Sequence, residues 1–531
     1  MRRFFSYGPI DTETHYYAPR KELIERTYTR LIGENPKRGG HYITVWAPRQ
    51  CGKTWIVQEV VEKIKQTDNY EAMIISLESA KEEKDEKGVL EILIEKLQIA
   101  FDRPLPPIEK IKQIPTLFTK QYFQKPVIAI LDEFDALDEV LINRFASIFR
   151  DIFISRTNEK NKSSKEKTYL LHGLALVGVR SVLGIENERG SPFNVQQSLH
   201  IPNLTYDEVK GMFEWYEKES GQKVKREVID RLFYETRGQP GLTCWFGELL
   251  TESYNEEKNK PITMDNFEEV HAAAIKILPN NNILNIISKA NKEPYKQTVL
   301  ELFKTDRKME FTYDNRNLNY LYLNGVIDQE KENRIEYYVR FSCPFVQKRL
   351  FNYFSNDIFY QLGRLMEPLT NLEQVIDSTH LNIRELIDLY QVYLKKNKEW
   401  LFKGVPRRSD LRVYEAVFHF NLYAYINEFL RERQGRVFPE FPSGNGKIDL
   451  LIQYQDKMYG IELKSFSDQS GYRQALLKAA LYGKKLRLSE IYLVTFVETI
   501  DEKTRQTYEA DYHDPQTNVT VKPIFIETGV V

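Results

Sequence analysis

The sequence predicts an α/β protein built on two separate sheets, and three stretches carry that prediction. "HYITVWAPRQCGKTWIVQEV" (41–60) is a β-rich run, a loop and a helical pattern. "PVIAILDEFDAL" (126–137) is an apolar run of the kind a parallel sheet buries, and it ends in carboxylates. "GKIDLLIQYQDKMYGIELKSF" (446–466) reads as a β-hairpin with an aspartate, a glutamate and a lysine inside two apolar runs. Charges so placed cost free energy unless something compensates them.

At 531 residues the chain has room for roughly three or four domains of the usual ~150 residues. Its hydrophobic fraction of 42% and charged fraction of 28% are those of an ordinary globular protein. No window approaches the ~18 uninterrupted apolar residues of a membrane span, so no membrane partner is expected. "MRRFFSYGPIDTETHYY" has no apolar core of signal-peptide length, which argues against secretion. Cys51, Cys244 and Cys343 lie far apart and form no CxxC pair. Neither a disulfide framework nor a zinc site is suggested, and a cytoplasmic location fits. The formal charge of −1 means that any nucleic-acid contact must rest on local patches.

In "APRQCGKT" Gly52, Lys53 and Thr54 match the end of GxxxxGK[ST], with Ala47 in place of the first glycine and Trp55 following. In such a loop backbone N–H groups cradle phosphates, the lysine reaches the β/γ-phosphates and the hydroxyl binds Mg²⁺. A chance strand-turn-helix is the alternative, and the second stretch decides against it. Asp132 would hold Mg²⁺ through water on the Thr54 side, and Glu133 would orient or deprotonate the attacking water. An acidic helix cap suits Asp135 or Asp138 better. ATP with Mg²⁺ is therefore the expected cofactor. Arg180 ends the strand-like "YLLHGLALVGVR", where a basic residue either senses the γ-phosphate or lies on a solvated edge.

The order "YYAPRKELIERTY", "APRQCGKT", "ILDEFDAL", "SPFN" and "TRGQPGL" resembles the bacterial AAA-like ATPases related to the STAND and origin-recognition clades, over roughly residues 1–355. That resemblance implies a doubly wound P-loop ATPase core (1–195), a helical lid (196–280) and a winged-helix domain (281–355). By that likeness Arg237, Gln239 and Pro240 lie where the lid faces the nucleotide; Pro240 as a plain helix breaker is an equally good reading. The recognition segment of the winged helix carries Arg316 but few other basic residues, so protein contact is favoured there over DNA reading.

Residues 356–408 read as a helical linker. Lys395, Lys396, Lys398, Lys403, Arg407, Arg408 and Arg412 form a basic run at its end, beside Trp400 and Phe402. It is either a solvated linker or a source of phosphate attraction. In the helix that follows, Glu415 shares a face with Leu411, Phe418, His419 and Leu422, so it either caps the domain edge or points into a site. In the hairpin, Tyr459, Ile461 and Leu463 share one face, which puts Glu462 and Lys464 on the other. A turn centred on Asp456 and Lys457 pairs 449 with 464 and 451 with 462, and all three charges converge. One residue more or fewer in the turn would send Asp449 to the opposite side.

Asp449 followed by Glu462-x-Lys464 resembles the PD-(D/E)XK nuclease superfamily, with Glu415 as the upstream helical acid; the resemblance covers about 409–531. It implies a restriction-endonuclease-like α/β domain in which Asp449, Glu462 and a backbone carbonyl hold Mg²⁺, or Mn²⁺ in its place, and Lys464 orients the attacking water. Ile448 stands where that family often has proline. Lys478 stands one helical turn before Tyr482, where many relatives place a glutamine, and Gln474 lies a further turn earlier. The reading as a whole is an ATPase fused to a nuclease acting on DNA more readily than RNA. Nucleotide state, self-assembly or a partner protein would control it, and defence against foreign DNA is the biological role such fusions imply. A signalling or scaffold ATPase whose C-terminal domain binds without cutting is the alternative, with a DNA-binding regulator third.

Overall fold

A computed structural model of the chain describes residues 1–178, 197–303, 309–359, 372–402, 405, 413, 415–431, 433, 435–443, 446–466 and 468–529. They form two compact units. The first comprises Met1–Ile286, Thr312–Asp328 and Ser342–Pro344, and the second Ile287–Phe311, Gln329–Phe341 and Phe345–Val531.

The first unit is organised by five strands, β1 (Tyr42–Trp46), β2 (Glu71–Ser76), β3 (Val127–Asp132), β4 (Leu171–Gly178) and β5 (Gln197–His200). Their spatial order is β2-β3-β4-β1-β5, and every pairing is parallel. Alternate residues of the central strands enter two different apolar clusters. Tyr42, Ala129, Leu131, Leu174 and Leu176 pack with the helices Glu86–Phe101 and Glu139–Asn158. Ile43, Val45, Ile128, Ile130, Ala175 and Val177 pack with the helices Lys21–Ile32 and Lys53–Lys65. Both faces are covered, which is why these strands read as continuous apolar runs and not as alternating ones. The chain leaves β1 for the β2 edge and returns, inserting β4 between β3 and β1. The crevice at the carboxyl ends of β1, β4 and β3 is where a doubly wound sheet binds its ligand.

Helices Tyr206–Ser220, Arg226–Thr236, Pro240–Glu248 and Met264–Lys276 follow. The first is started by a reciprocal capping box, Thr205 with Glu208, at 3.2 and 2.8 Å. The helix Arg316–Leu323 precedes a two-stranded sheet of β6 (Ile327–Lys331) and β7 (Tyr337–Phe341). The boundary between the two units runs through β6, so the stretch 281–355 is divided between them.

The second unit holds a mixed six-stranded sheet of β8 (Arg436–Ser443), β9 (Gly446–Tyr454), β10 (Lys457–Ser465), β11 (Glu490–Val497), β12 (Tyr512–Asp514) and β13 (Val519–Glu527). Its order is β12-β13-β11-β10-β9-β8, with β10, β11 and β13 parallel. The helix Gln469–Lys485 covers one face through Ala475, Leu476 and Ala479 against Ile491, Leu493 and Val521. The helix Glu415–Leu430 packs on the other, where the ring of Phe418 stacks on Phe496 at 5.1 Å.

The hairpin turn is centred on Gln455 and Asp456, one residue before the expected place. Lys457 pairs with Tyr454 and Ile461 with Leu450, which sets Asp449 opposite Glu462, not opposite Lys464. The register differs from the expected one by two residues. Because the side-chain period of a strand is two, an even slip leaves every residue on its face. Asp449, Glu462 and Lys464 therefore still share one side. That side is the one under the Gln469–Lys485 helix, since Glu462 registers with Leu493. Among the described residues no helix is long and apolar enough to cross a membrane.

Candidate nucleotide site and candidate metal centre

The loop between β1 and the Lys53–Lys65 helix turns on Gln50 (φ 57°) and Gly52 (φ 83°). A Cβ on Gly52 would meet nothing within 4 Å, so it is the left-handed backbone and not crowding that favours glycine there. Lys53 is buried, and its Nζ donates to the carbonyls of Ala47 at 2.9 Å and Pro48 at 3.0 Å. The Thr54 hydroxyl donates to Asp132 Oδ2 at 2.6 Å, which joins the helix start to the end of β3. Asp132 Oδ1 accepts the backbone N–H of Glu133 at 2.9 Å. Glu133 itself sits at φ 53°, a conformation that a non-glycine residue adopts at a cost and that recurs at functional turns. Its carboxyl is raised above the ordinary glutamate range, first by burial and then by the neighbouring Asp132 and Asp135 charges. The Trp55 ring lies in the apolar cluster under the helix, edge-on to Tyr17 at 5.5 Å. Arg180 and the "SPFN" segment fall outside the described residues.

The start of the helix Pro240–Glu248 reaches this loop through Gln239. Its Oε1 caps Leu242 N–H, and its Nε2 donates to the Arg49 carbonyl at 3.1 Å and the Gln50 carbonyl at 3.4 Å. Gly241 N–H adds a further bond to Gln50 O at 3.0 Å. A Cβ at Gly241 would come within 2.6 Å of the Gln50 side chain, so only glycine permits this approach. Pro240 occupies the first turn of its helix, and Arg237 ends the preceding one at φ 47°. Gln50, which the motif treats as a variable position, is the brace that sequence reading overlooked. Nothing in a single sequence distinguishes it from the other variable loop residues.

In the second unit Asp449 and Glu462 are both fully buried. The β9–β10 ladder ends at the Leu450–Ile461 pair, and beyond it Asp449 Oδ2 accepts the backbone N–H of Leu463 at 2.7 Å. Asp449 Oδ1 and Glu462 Oε2 are buried with no hydrogen-bond partner. Burial first, and then the Asp449 charge, push the Glu462 carboxyl well above the usual range, against the pull of two lysines. Lys464 is buried on the same side. Glu415 begins its helix and accepts Ser465 N–H at 3.1 Å, which brings it to the end of β10; Leu411 lies outside the described residues.

Two contacts were not foreseen. Lys478 Nζ donates to Glu462 Oε1 at 2.9 Å, and the buried His419 places Nε2 at 3.3 Å from the Asp449 carbonyl oxygen. Counting back one helical turn from Tyr482 already pointed to Lys478. Gln474 is exposed. Among the described residues no group of three or more His, Cys, Asp or Glu side chains is placed to hold a metal ion. Two carboxylates, each with an unused oxygen, nevertheless suit a hard divalent cation that keeps waters and takes a further oxygen from the backbone. In the linker Lys395 pairs with Glu527 at 3.1 Å, a structural use of part of the basic run. Lys403, Arg407, Arg408 and Arg412 lie outside the described residues.

Residues 5–252 match the family model of the AAA-like domain. This region is an AAA-like P-loop domain. No curated protein gives a significant match to the chain. Among solved structures, the Walker-type ATPase paby2304 of Pyrococcus abyssi is similar at 12% identity, covering 65% of this chain and 99% of that one with a TM-score of 0.44. The Aeropyrum pernix ORC1 protein in complex with DNA is similar at 14% identity, 63% and 92% coverage and a TM-score of 0.32. Thermotoga maritima RuvB is similar at 12% identity, 60% and 90% coverage and a TM-score of 0.32. The AAA-like domain thus includes both the Thr54–Asp132 contact and Gln239, and ends before the hairpin carboxylates.

Proposed function

We propose that the chain is an ATP-hydrolysing AAA-like protein with a metal-dependent nuclease in its second unit, acting on DNA in preference to RNA and serving defence against foreign nucleic acid. One observation carries the nuclease part: two fully buried carboxylates, Asp449 and Glu462, each present an oxygen with no partner. Desolvated oxygens of this kind cost several kcal/mol in total unless a cation takes them up. Mg²⁺ or Mn²⁺ bound there would lower the pKa of a water and polarise a phosphoryl oxygen. Asp449 and Glu462 would bind that ion, Lys464 would orient the water and stabilise charge on phosphorus, and Glu415 would hold the end of β10 in place. In the AAA-like domain Thr54 and Asp132 would hold Mg²⁺ with ATP, Lys53 would turn to the phosphates, and Glu133 would position the attacking water.

The Gln469–Lys485 helix supports a nucleic-acid partner. Between Asp468 and Glu490 the chain has Arg473, Lys478, Lys484, Lys485 and Arg487 and no acidic residue. Arg473, Lys484, Lys485 and Arg487 are exposed and Lys478 reaches Glu462, so this segment offers local positive charge in a chain of near-zero net charge. A second reading is a signalling or scaffold ATPase whose nuclease-like unit binds without cutting, and the Lys478–Glu462 ion pair is the contact that favours it. In the same proposal 281–355 is a winged-helix domain used for protein contact. The deciding experiment incubates the full chain with plasmid, linear duplex, single strands and RNA, with Mg²⁺ or Mn²⁺ and with or without ATP. Cleavage that disappears in both Asp449→Asn and Glu462→Gln supports the site; cleavage that survives in both rejects it.

A further inference from the structure

We infer that the second unit carries a pocket for one unstacked nucleobase, one pleat beyond Lys464 on the same face of the sheet. The inference deepens the nuclease reading and rests on it. Residues 462, 464 and 466 follow one another at the two-residue period of a strand, so Phe466 lies about 7 Å along the chain from Lys464 and on its side. The ladder extends that far, since Phe466 N–H bonds to Phe496 O at 2.9 Å. Phe466 is one wall of a cavity of about 480 Å³ that Tyr508 and Phe525 also line, with Thr499, Asp501 and Thr504 at its polar side. The Phe466 ring meets Tyr508 at 5.8 Å and Phe525 at 6.0 Å. Tyr508 is steadied in turn by Tyr472, whose ring is perpendicular to it at 5.0 Å.

The chemistry of this box fits a flat heteroaromatic ring. Aromatic faces stack with any base, whereas a purely aliphatic pocket would offer no such face. The polar side is built into the fold: Asp501 Oδ1 accepts Thr504 N–H at 2.9 Å and Oδ2 its hydroxyl at 2.6 Å, which starts a helix and leaves lone pairs on each oxygen. The exposed Asp501 carboxylate in the lining accepts from an exocyclic amino group and repels phosphate, so the base enters and the backbone stays outside. A base inside a duplex cannot reach such a pocket, and the occupant is therefore a nucleotide of a single strand or an extruded one.

The test measures binding of the full chain to a fluorescent single-stranded DNA in EDTA, where no cleavage occurs. It compares an intact oligonucleotide with a set carrying one abasic residue at successive positions. One position is expected to weaken binding about tenfold when abasic, the loss of one base–aromatic stack. Phe466→Leu, which keeps apolar bulk and removes the ring, should weaken the intact strand by a similar factor and abolish the abasic difference. Thr499→Trp, which fills the mouth, should do the same without touching the aromatic wall. Equal binding of all abasic strands, or an unchanged abasic difference in both variants, overturns the inference. Mg²⁺-dependent plasmid cleavage by the unaltered chain, measured alongside, tells whether the nuclease reading has failed as well or stands alone.

Discussion

The two carboxylate pairs of this chain stand in unlike electrical surroundings, Asp132 at the end of β3 and Asp449 and Glu462 within β9 and β10. Asp132 is answered at both oxygens by neutral donors, the Thr54 hydroxyl and the Glu133 N–H, and Glu133 beside it is only half-buried. Asp449 and Glu462 are wholly buried, keep one unanswered oxygen each and lean on lysines. A buried carboxylate with both oxygens hydrogen-bonded, as in Asp132, is cheap to maintain, while a dry, half-satisfied pair is expensive unless an ion joins it. On the proposed reading the first pair would be ready before a ligand arrives, and the second would need one.

The largest expected effects separate the two pairs by activity. Lys53→Ala should lower ATP turnover by about 10²-fold or more, and Glu133→Gln by a similar factor while retaining nucleotide binding, as steady-state rates and nucleotide titration would register. Glu462→Gln should lower metal-dependent cleavage by about 10²-fold or more and leave turnover intact. If Lys53→Ala also removed cleavage measured without ATP, the pairs would not be separate sites.

A second contrast is in stability. Glu462→Gln relieves a buried charge but leaves the Lys478 ammonium without its partner, so its melting in EDTA should change little, and it should lose any stabilisation by Mg²⁺. Asp132→Asn exchanges an acceptor for a donor facing Thr54 and Glu133 N–H, and should destabilise the first unit by about 1–2 kcal/mol in a denaturant titration. A reversed order would mean that the buried pair is satisfied by contacts of its own.

The first unit also carries an acid-sensitive core group. Burial, and after it the nearby Arg156 and Lys167 charges, depress His172 to about 3 while its Nε2 is bonded to Ile32 O at 2.9 Å and its Nδ1 to Ser164 Oγ at 2.7 Å. Since the folded value lies below the unfolded one of ~6.5, the unfolded chain binds the extra proton first. The contribution is fully present above about pH 6.5 and lost as pH falls toward 3. His172→Gln should be less stable at pH 7 but lose less on acidification to pH 4.5, measured by urea titration followed through tryptophan fluorescence.

How far the sequence reached differs between the regions as well. Strand-loop-helix context and a carboxylate-ended apolar run put Lys53 and Thr54 at a helix start and Asp132 at a strand end, where the structure has them, because a parallel strand buried on both faces leaves an unmistakable run. The strand order and the Gln50–Gln239 brace were not legible, since both depend on contacts nearly 190 residues apart. In the hairpin, parity brought Asp449, Glu462 and Lys464 to one side although the register was two residues off, because face depends only on odd or even. Lys478 was visible one helical turn before Tyr482, in the place of the glutamine, but its reach to Glu462 required the helix to lie over that face.

The smallest expected effect probes the coupling of Gln239 to the loop inside the AAA-like domain. Gln239 uses its two ends differently, with Oε1 capping Leu242 N–H and Nε2 holding the Arg49 and Gln50 carbonyls. Gln239→Glu retains an acceptor for the cap and, as a carboxylate at a helix start, is not disfavoured there. It loses both donors and faces two carbonyl oxygens with like partial charge. Helix stability should therefore hold within about 0.5 kcal/mol, while the apparent affinity for ATP falls by roughly threefold to tenfold, about one charge-perturbed hydrogen bond. Gln239→Ala loses cap and brace together and should lower both. An affinity that drops in Gln239→Ala but not in Gln239→Glu would assign the effect to helix fraying and detach the Pro240–Glu248 helix from the phosphate loop.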